Sequence, residues 1–313
     1  MTILRVPDSL PSSTSRDFID AYRYFGRKSV DGSNKTYWLQ HGRWALMRFP
    51  AFCRDVPEKA EINRILHVSA MPVISYIRPA FGNEKHNSYL YIRSGPYSAS
   101  ELDKKPRQSI NRANKFLTIR FLSWDELRTH GAPVFIETRT RVGLSDGVTD
   151  TFNREIDFFS HVPGHTAWGA WKDDRLVAFM IGAEVDDYYT LSLACSTNDS
   201  LTWCPNNALF DAVFDLYLNQ RKCRLVSAGL SSLQQGTEWE NLHNFKLRVG
   251  FEALEVKRCF AVNRWFKPFL NRFVYRGMLG LQSVFPRHPL IRKGVGVFEI
   301  LLGNDRKMED SQE

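Results

Sequence analysis

Residues 166–195 read TAWGAWKDDRLVAFMIGAEVDDYYTLSLAC. Three apolar runs, Thr166 to Trp171, Arg175 to Glu184 and Tyr188 to Cys195, are separated by the pairs Asp173-Asp174 and Asp186-Asp187. Aspartates tolerate the backbone of tight turns, and runs of this length at this spacing predict an antiparallel three-stranded meander. Upstream, Thr118 to Leu122 alternates like a strand. Ser123 with Glu126 forms a capping-box pattern that opens a helix, and a second helix is expected over about 150–159. Downstream, Pro205 suits the first turn of a helix whose apolar positions are Leu209, Ala212, Val213, Leu216 and Tyr217. Strand Arg224 to Gly229, helix Trp239 to Val249 stopped by Gly250, and strand Phe251 to Phe260 follow. The predicted order is one strand, two helices, three strands, then helix, strand, helix, strand. In the first third, a helix over 16–25 and strands over 36–40, 43–49, 71–77 and 88–92 are expected. Residues 57–67 read as a charged connection, and a helix is firm over 107–116, after Pro106.

The chain has 313 residues, 43% hydrophobic, 24% charged and 13% aromatic, with a mean hydropathy of -0.34. That is too rich in burial-competent side chains for a disordered chain, and no apolar run is long enough for a membrane span. No secretory signal is legible at the start, and the five cysteines contain no C-x-x-C pair, so a reducing cytoplasm is expected without a disulfide framework or metal site. The net charge of +8 is unevenly distributed. Residues 1–117 hold 19 basic and 10 acidic side chains, 118–255 hold 12 and 19, and 256–298 hold nine and none. An acidic middle is unlike a nucleic-acid-binding core, whose recognition surface concentrates positive charge.

Parallel α/β folds alternate strand and helix regularly, whereas here a meander precedes the helix-linked strands. This order resembles the GNAT acyltransferase fold, and three local patterns resemble its FemAB-like branch. They are Arg107-x-x-Ile110-x-Arg112-Ala113-x-Lys115, the Pro-started Trp203-Cys204-Pro205-Asn206-Asn207-Ala208-Leu209, and Asn244-Phe245-Lys246-Leu247-Arg248-Val249-Gly250-Phe251. The resemblance covers about 107–260 and implies an α/β (α+β) fold, a GNAT-like mixed, largely antiparallel sheet flanked by helices. It also implies two GNAT-like halves in tandem. The expected division is a degenerate first half over 1–106, a catalytic domain over 107–260, and a basic amphipathic segment with an acidic tail over 261–313. The implied activity is transfer of an acyl group, acetyl foremost, from acyl-CoA to an amine or hydroxyl of a sugar, cell-envelope precursor or small metabolite, in a ternary complex and without a metal. An aminoacyl-tRNA-dependent transferase and a non-catalytic scaffold of the same fold are the alternatives. One departure bears on the donor: Ser196 to Asn207, where ordinary GNAT enzymes carry a glycine-rich pyrophosphate loop, contains no glycine.

Acyl transfer needs a deprotonated nucleophile, a stabilised oxyanion and a protonated leaving group. Lys246, which the resemblance directs to the reacting centre, Glu184 as a base and Tyr189 facing the cleft are the expected catalytic residues. Leu193, Ala194 and Cys195 would polarise the donor carbonyl through their backbone, with Asn206 and Asn207 at a helix start meeting a phosphate. His243, one turn from Lys246, and Arg107 and Arg112 are expected on the acceptor. Capping or core roles for His243, solvated faces for the arginines and turn chemistry for Asp186 and Asp187 stand as the plain alternatives. The G-x-S-x-G match over Gly143 to Gly147 lacks the buried strand that motif requires, and Pro163-Gly164 prevents His161 and His165 from sharing a helical face. From Trp265 to Phe285, Phe266, Phe269, Leu270, Phe273, Gly277 and Leu281 share one helical arc. An aromatic, acid-free, basic helix of this kind, within 264–293, is expected either to dock on the protein or to meet an anionic membrane surface.

Overall fold

The computed structural model describes residues 10–42, 44–142, 148–231, 237–285 and 289–309. The Gly143 to Gly147 match and Arg43 lie outside them. In chain order the elements are α1 (Ser15–Tyr24), β1 (Ser29–Asp31), β2 (Tyr37–His41), β3 (Ala45–Phe49), α2 (Lys59–Ser69), β4 (Val73–Pro79) and β5 (Ser88–Ser94). Then come α3 (Lys104–Phe116), β6 (Thr118–Leu122), α4 (Trp124–Arg141), α5 (Val148–His161), β7 (His165–Lys172), β8 (Arg175–Val185) and β9 (Tyr188–Ser196). The chain ends with α6 (Pro205–Phe214), β10 (Leu225–Leu230), α7 (Thr237–Arg248), β11 (Glu252–Val262), α8 (Arg272–Val284) and α9 (Pro289–Glu309). The order from β6 to β11 is the one expected, and the sheet is mixed, largely antiparallel and flanked by helices.

These elements form two compact units, one of residues 1–26, 90–229 and 243–254, the other of 27–89, 230–242 and 255–313. Each unit is discontinuous in sequence, and two interactions show how distant segments join within a unit. Ser13 and Asp186 exchange backbone hydrogen bonds with Glu184 and Ser13 that tie the start of the chain to β8, and β11 from Val256 to Val262 pairs antiparallel with β4.

In the first unit the strands run in the order β5-β10-β9-β8-β7-β6. β8 is buried at every position after Arg175, and Phe179, Ile181 and Cys195 pack with Leu127, Phe135, Phe152 and Ile156 of α4 and α5. Ser123 caps α4 by the reciprocal bonds expected with Glu126. Asp173 and Asp186 take left-handed backbones (φ 53° and 48°), which is why short polar residues occupy both meander turns. β9 then leaves the antiparallel meander and pairs parallel with β10, reached through α6.

The second unit repeats this plan. β1, β2 and β3 are antiparallel, α2 crosses over, and β4 pairs parallel with β3 before meeting β11. Its core is built from Trp38, Leu46, Ile65, Leu66, Met71 and Ile74. Four expectations differ from the structure. Residues 59–69, read as a connection, are helix α2, because Ile62, Ile65 and Leu66 recur at helical spacing among the charges that masked them. β1, three residues long, is too short to show a period. α3 starts at Lys104, since Pro106 falls in its first turn, where no backbone donor is needed. The helix expected from Trp265 instead begins at Arg272, behind a short turn over Lys267–Phe269, because the Asn271 side chain caps it through Val274 N.

Candidate active site

The parallel pairing of β9 with β10 is brief: Tyr188, Tyr189 and Thr190 face Leu225, Val226 and Ser227. Beyond that register β9 continues through Leu191–Ser196, and β10 through Ala228 and Gly229, without pairing to each other. The strands thus form a fork. On the β9 side a bulge enlarges it, for Ile181 pairs with Leu193 and Gly182 with Leu191, leaving Ser192 as the extra residue. Ser192 and Ala194 are exposed, Leu191 and Leu193 half-buried.

Lys246 stands at the throat of this fork. Its Nζ donates to the carbonyl of Ala228, 3.1 Å away and one residue past the last paired position of β10. The same ammonium lies 4.0 Å from the centre of the Tyr91 ring on β5. Helix α7 holds the lysine there because Val249 is buried, Phe245 packs on Phe210, and Gly250, with φ of 108°, stops the helix. Among the described residues no carboxylate pairs with Lys246, and burial pulls its pKa down to about 8. Such an amine is still mostly charged at pH 7 and half-charged near pH 8, so it gives up and regains a proton far more readily than an ordinary lysine. One turn earlier, His243 Nδ1 shares a hydrogen bond with the Tyr91 hydroxyl at 2.9 Å. His243, Tyr91 and Lys246 therefore form one cluster, and Tyr91 is the member that sequence reasoning missed. Nothing in the run of β5 distinguishes that tyrosine from a core aromatic.

The other expected residues occupy different places. Both oxygens of Glu184 accept from Arg221, at 2.7 and 3.0 Å. That bidentate pair anchors the π-helical turn (Asp215–Gln220) that follows α6 to β8, which assigns Glu184 an anchoring role instead of a base. Tyr189 is wholly buried and stacks on Tyr217 with ring centres 3.7 Å apart, its phenol pushed well above the usual range by desolvation. It packs where Gly182 leaves room, since a Cβ there would lie 2.5 Å from the ring. Tyr189 is thus a core residue away from the cleft. The Cys195 thiol is buried and raised to about 12, so only its backbone remains a candidate group. Arg107 and Arg112 are exposed on α3, whose other side packs on α6.

The segment from Ser196 to Asn207 tests the pyrophosphate reading of Asn206 and Asn207. Ser196 N donates to Thr138 Oγ1, Thr197 N to Val177 O and Asn198 N to the Glu137 carboxylate at 2.7 Å. The amides of Leu201, Cys204 and Asn207 are spent on turns within the segment, and Asn206 Nδ2 reaches Ser196 Oγ at 3.4 Å. Six amides of the segment thus have acceptors within the protein and Glu137 adds negative charge beside them, both of which disfavour a diphosphate there. Among the described residues no group of three or more His, Cys, Asp or Glu could hold a metal ion.

No protein-family model and no curated protein sequence matches the chain. Solved structures do. FemX superposes with a TM-score of 0.53 at 9% identity, covering 81% of this chain and 92% of its own. The C-terminal domain (DUF2156) of a protein named as a lysylphosphatidylglycerol synthetase from Agrobacterium fabrum gives 0.51 at 12%, over 81% and 88%. A conserved protein of unknown function from Bacteroides thetaiotaomicron gives 0.52 at 12%, over 80% and 90%. The chain shares its fold with FemX and with that synthetase domain, over about four-fifths of its length.

Proposed function

We propose that this chain is an acyltransferase that passes an activated acyl group to an amine or hydroxyl within the fork between β9 and β10. The observation that carries this reading is Lys246, a desolvated lysine that pairs with no carboxylate among the described residues, held where the two strands part. The acceptor's nitrogen or oxygen attacks the acyl carbonyl, and the bond from that carbonyl to the leaving oxygen or sulfur breaks. The proton lost by the acceptor ends on the leaving group. As an ammonium, Lys246 stabilises the oxyanion and protonates the leaving group; as an amine, it recovers the acceptor's proton. The unpaired edge of β9 around Leu193 to Cys195 offers backbone donors to the same oxyanion, and His243, braced by Tyr91, orients the acceptor.

The donor best suited to this site is an aminoacyl ester on tRNA. Acyl-CoA needs a diphosphate cradle, and six amides of this stretch, those of Ser196, Thr197, Asn198, Leu201, Cys204 and Asn207, already have acceptors in the protein. A polynucleotide is held by cationic side chains along its backbone, and exposed Arg107 and Arg112 are of that kind. The Agrobacterium protein of similar fold is named for a product that joins lysine to phosphatidylglycerol, which fits an aminoacyl group as the one transferred. Acyl-CoA is the second reading, supported by the Pro205-started helix whose positive end favours a phosphate. The deciding experiment presents the purified protein with acetyl-CoA, a longer acyl-CoA and a set of labelled aminoacyl-tRNAs, and measures binding and release of the labelled acyl group. Lys246-dependent discharge of an aminoacyl-tRNA supports the first donor and saturable, chain-length-selective CoA binding the second. Absence of both leaves a scaffold and ends the enzyme reading.

A further inference from the structure

The second compact unit ends in a helical pair whose outer side has no protein against it among the described residues. α8 packs on α9 through Tyr275, which stacks on Phe298 and donates to Glu299, and through Met278, which lies over Gly294. On the opposite strip of α8, Phe273, Gly277, Gly280 and Val284 follow one another at helical spacing. Phe273 is 86% exposed, Val284 67% and neighbouring Leu281 51%. Trp265 and Phe269, in the turn before α8, are half exposed as well. A folded chain seldom leaves so many large apolar side chains adjacent and open to water without a partner.

The charges around that strip choose the partner. Arg272 and Arg276 are exposed along one edge of α8, and Arg264 and Lys267 are exposed in the preceding turn. No acidic residue occurs anywhere from 256 to 298. A symmetric pairing of two copies through this face would set these cations against their own images, so self-association is opposed by charge. Aromatic and aliphatic side chains rimmed by arginine and lysine, with no carboxylate among them, are complementary to acyl chains beneath anionic headgroups.

We infer that α8 and the turn before it dock the protein on an anionic phospholipid bilayer, with Phe273, Leu281 and Val284 inserted and Arg272 and Arg276 at the headgroups. This inference is independent of the donor and of the transfer reaction. It places the surface of the second unit, and not a membrane-crossing helix, in contact with lipid; no helix among the described residues is long and apolar enough to span.

The test uses the full chain and sedimentation with vesicles of pure phosphatidylcholine or of phosphatidylcholine with phosphatidylglycerol, at low and high salt. Binding to the anionic vesicles alone, weakened by salt, is expected. Each surface cation is worth about a fivefold change in partitioning, so R272Q/R276Q is expected to weaken binding by roughly tenfold or more and to flatten the salt dependence. F273A/V284A should weaken it about tenfold at both salt concentrations, because apolar insertion is insensitive to screening. All these side chains are exposed, so melting temperatures should match the wild type. Failure to bind, equal binding to both vesicle types, or a concentration-dependent dimer that F273A/V284A dissolves would each overturn the inference.

Discussion

The two compact units contain the same device put to different ends. In each, an antiparallel strand crosses over through a helix and pairs parallel for three residues: Ala45 to Met47 with Val73 to Ser75, and Tyr188 to Thr190 with Leu225 to Ser227. Past the first pairing, β3 carries Arg48, whose buried guanidinium bonds the Asp55 carboxylate at 2.7 Å and the Asp55 carbonyl. Past the second pairing stands Lys246, which meets a carbonyl and an aromatic ring. A buried cation with its counter-ion holds structure together, while one without a counter-ion is costly and available to a ligand. The comparison teaches that the fold supplies the fork and electrostatics decides which fork works.

Exchanging the cations breaks the comparison most sharply. Lys246→Met should lower acyl transfer by on the order of a hundredfold or more, the usual consequence of losing a group that stabilises an oxyanion. It should not lower stability at pH 7, since methionine fills the same space without a desolvated charge. Asp55→Ala should do the opposite, costing about 3 kcal/mol in urea unfolding, because Arg48 stays buried without its carboxylate, while turnover per folded molecule is kept. Equal stability losses in both variants would show that the two cations are not different in kind.

The pH dependence sharpens the same point. Lys246 has its pKa lowered from 10.5 to about 8 in the folded state. Between those values the unfolded chain binds a proton that the folded one does not, so the stability of the wild type rises with pH across that window. Melting temperatures of wild type and Lys246→Met should therefore diverge in favour of the wild type from pH 8 to 10.5, and turnover that needs the ammonium should fall above pH 8. A parallel pair of melting curves would refute the shifted lysine.

Smaller effects distinguish the closed part of β9 from its open part. Tyr91→Phe keeps the ring under Lys246 but releases His243, and a loss of about tenfold in kcat/KM is expected, near the value of one net hydrogen bond. Glu184→Ala should cost about 2 kcal/mol through Arg221, which is partly solvated, and leave kcat unchanged. Tyr189→Phe should alter stability by less than about 1 kcal/mol, since its hydroxyl lies 3.4 Å from Thr166 and the stacked ring is retained. A large loss of turnover in either of the last two would restore the catalytic roles first expected of Glu184 and Tyr189.

Much of the fold was legible because its signals are local. The aspartate turns of the meander, the Ser123 capping box, Pro205 at a helix start and Gly250 at a helix end each fix a boundary from a few neighbouring residues. α2 was hidden because its charges and Pro57 obscured a helical period, and the true start of α8 because aromatic periodicity ran on through Pro268 and Asn271. The candidate site was legible only in part. Lys246 sits in a local pattern, Phe245-Lys246 before Gly250-Phe251, which makes it a legible candidate. Glu184 and Tyr189 carry chemistry-bearing groups, but their partners, Arg221 and Tyr217, lie more than 25 residues away in the chain and turned both into structure.

By itself, then, the sequence determined the order of elements from β6 to β11, the meander, the Lys246 helix and the acid-free basic stretch before Glu299. Those follow from period, turn chemistry and charge count, all short-range properties of a chain. Only the tertiary structure decided that β9 and β10 part after Thr190 and Ser227, and that no carboxylate among the described residues pairs with Lys246 there. Tertiary contacts also gave the amides of Ser196, Thr197 and Asn198 acceptors on other elements, and among the described residues they left the Phe273 strip of α8 uncovered. Burial, counter-ions and open strand edges are set by residues distant in sequence, and a side chain's chemistry is decided by what folding brings beside it.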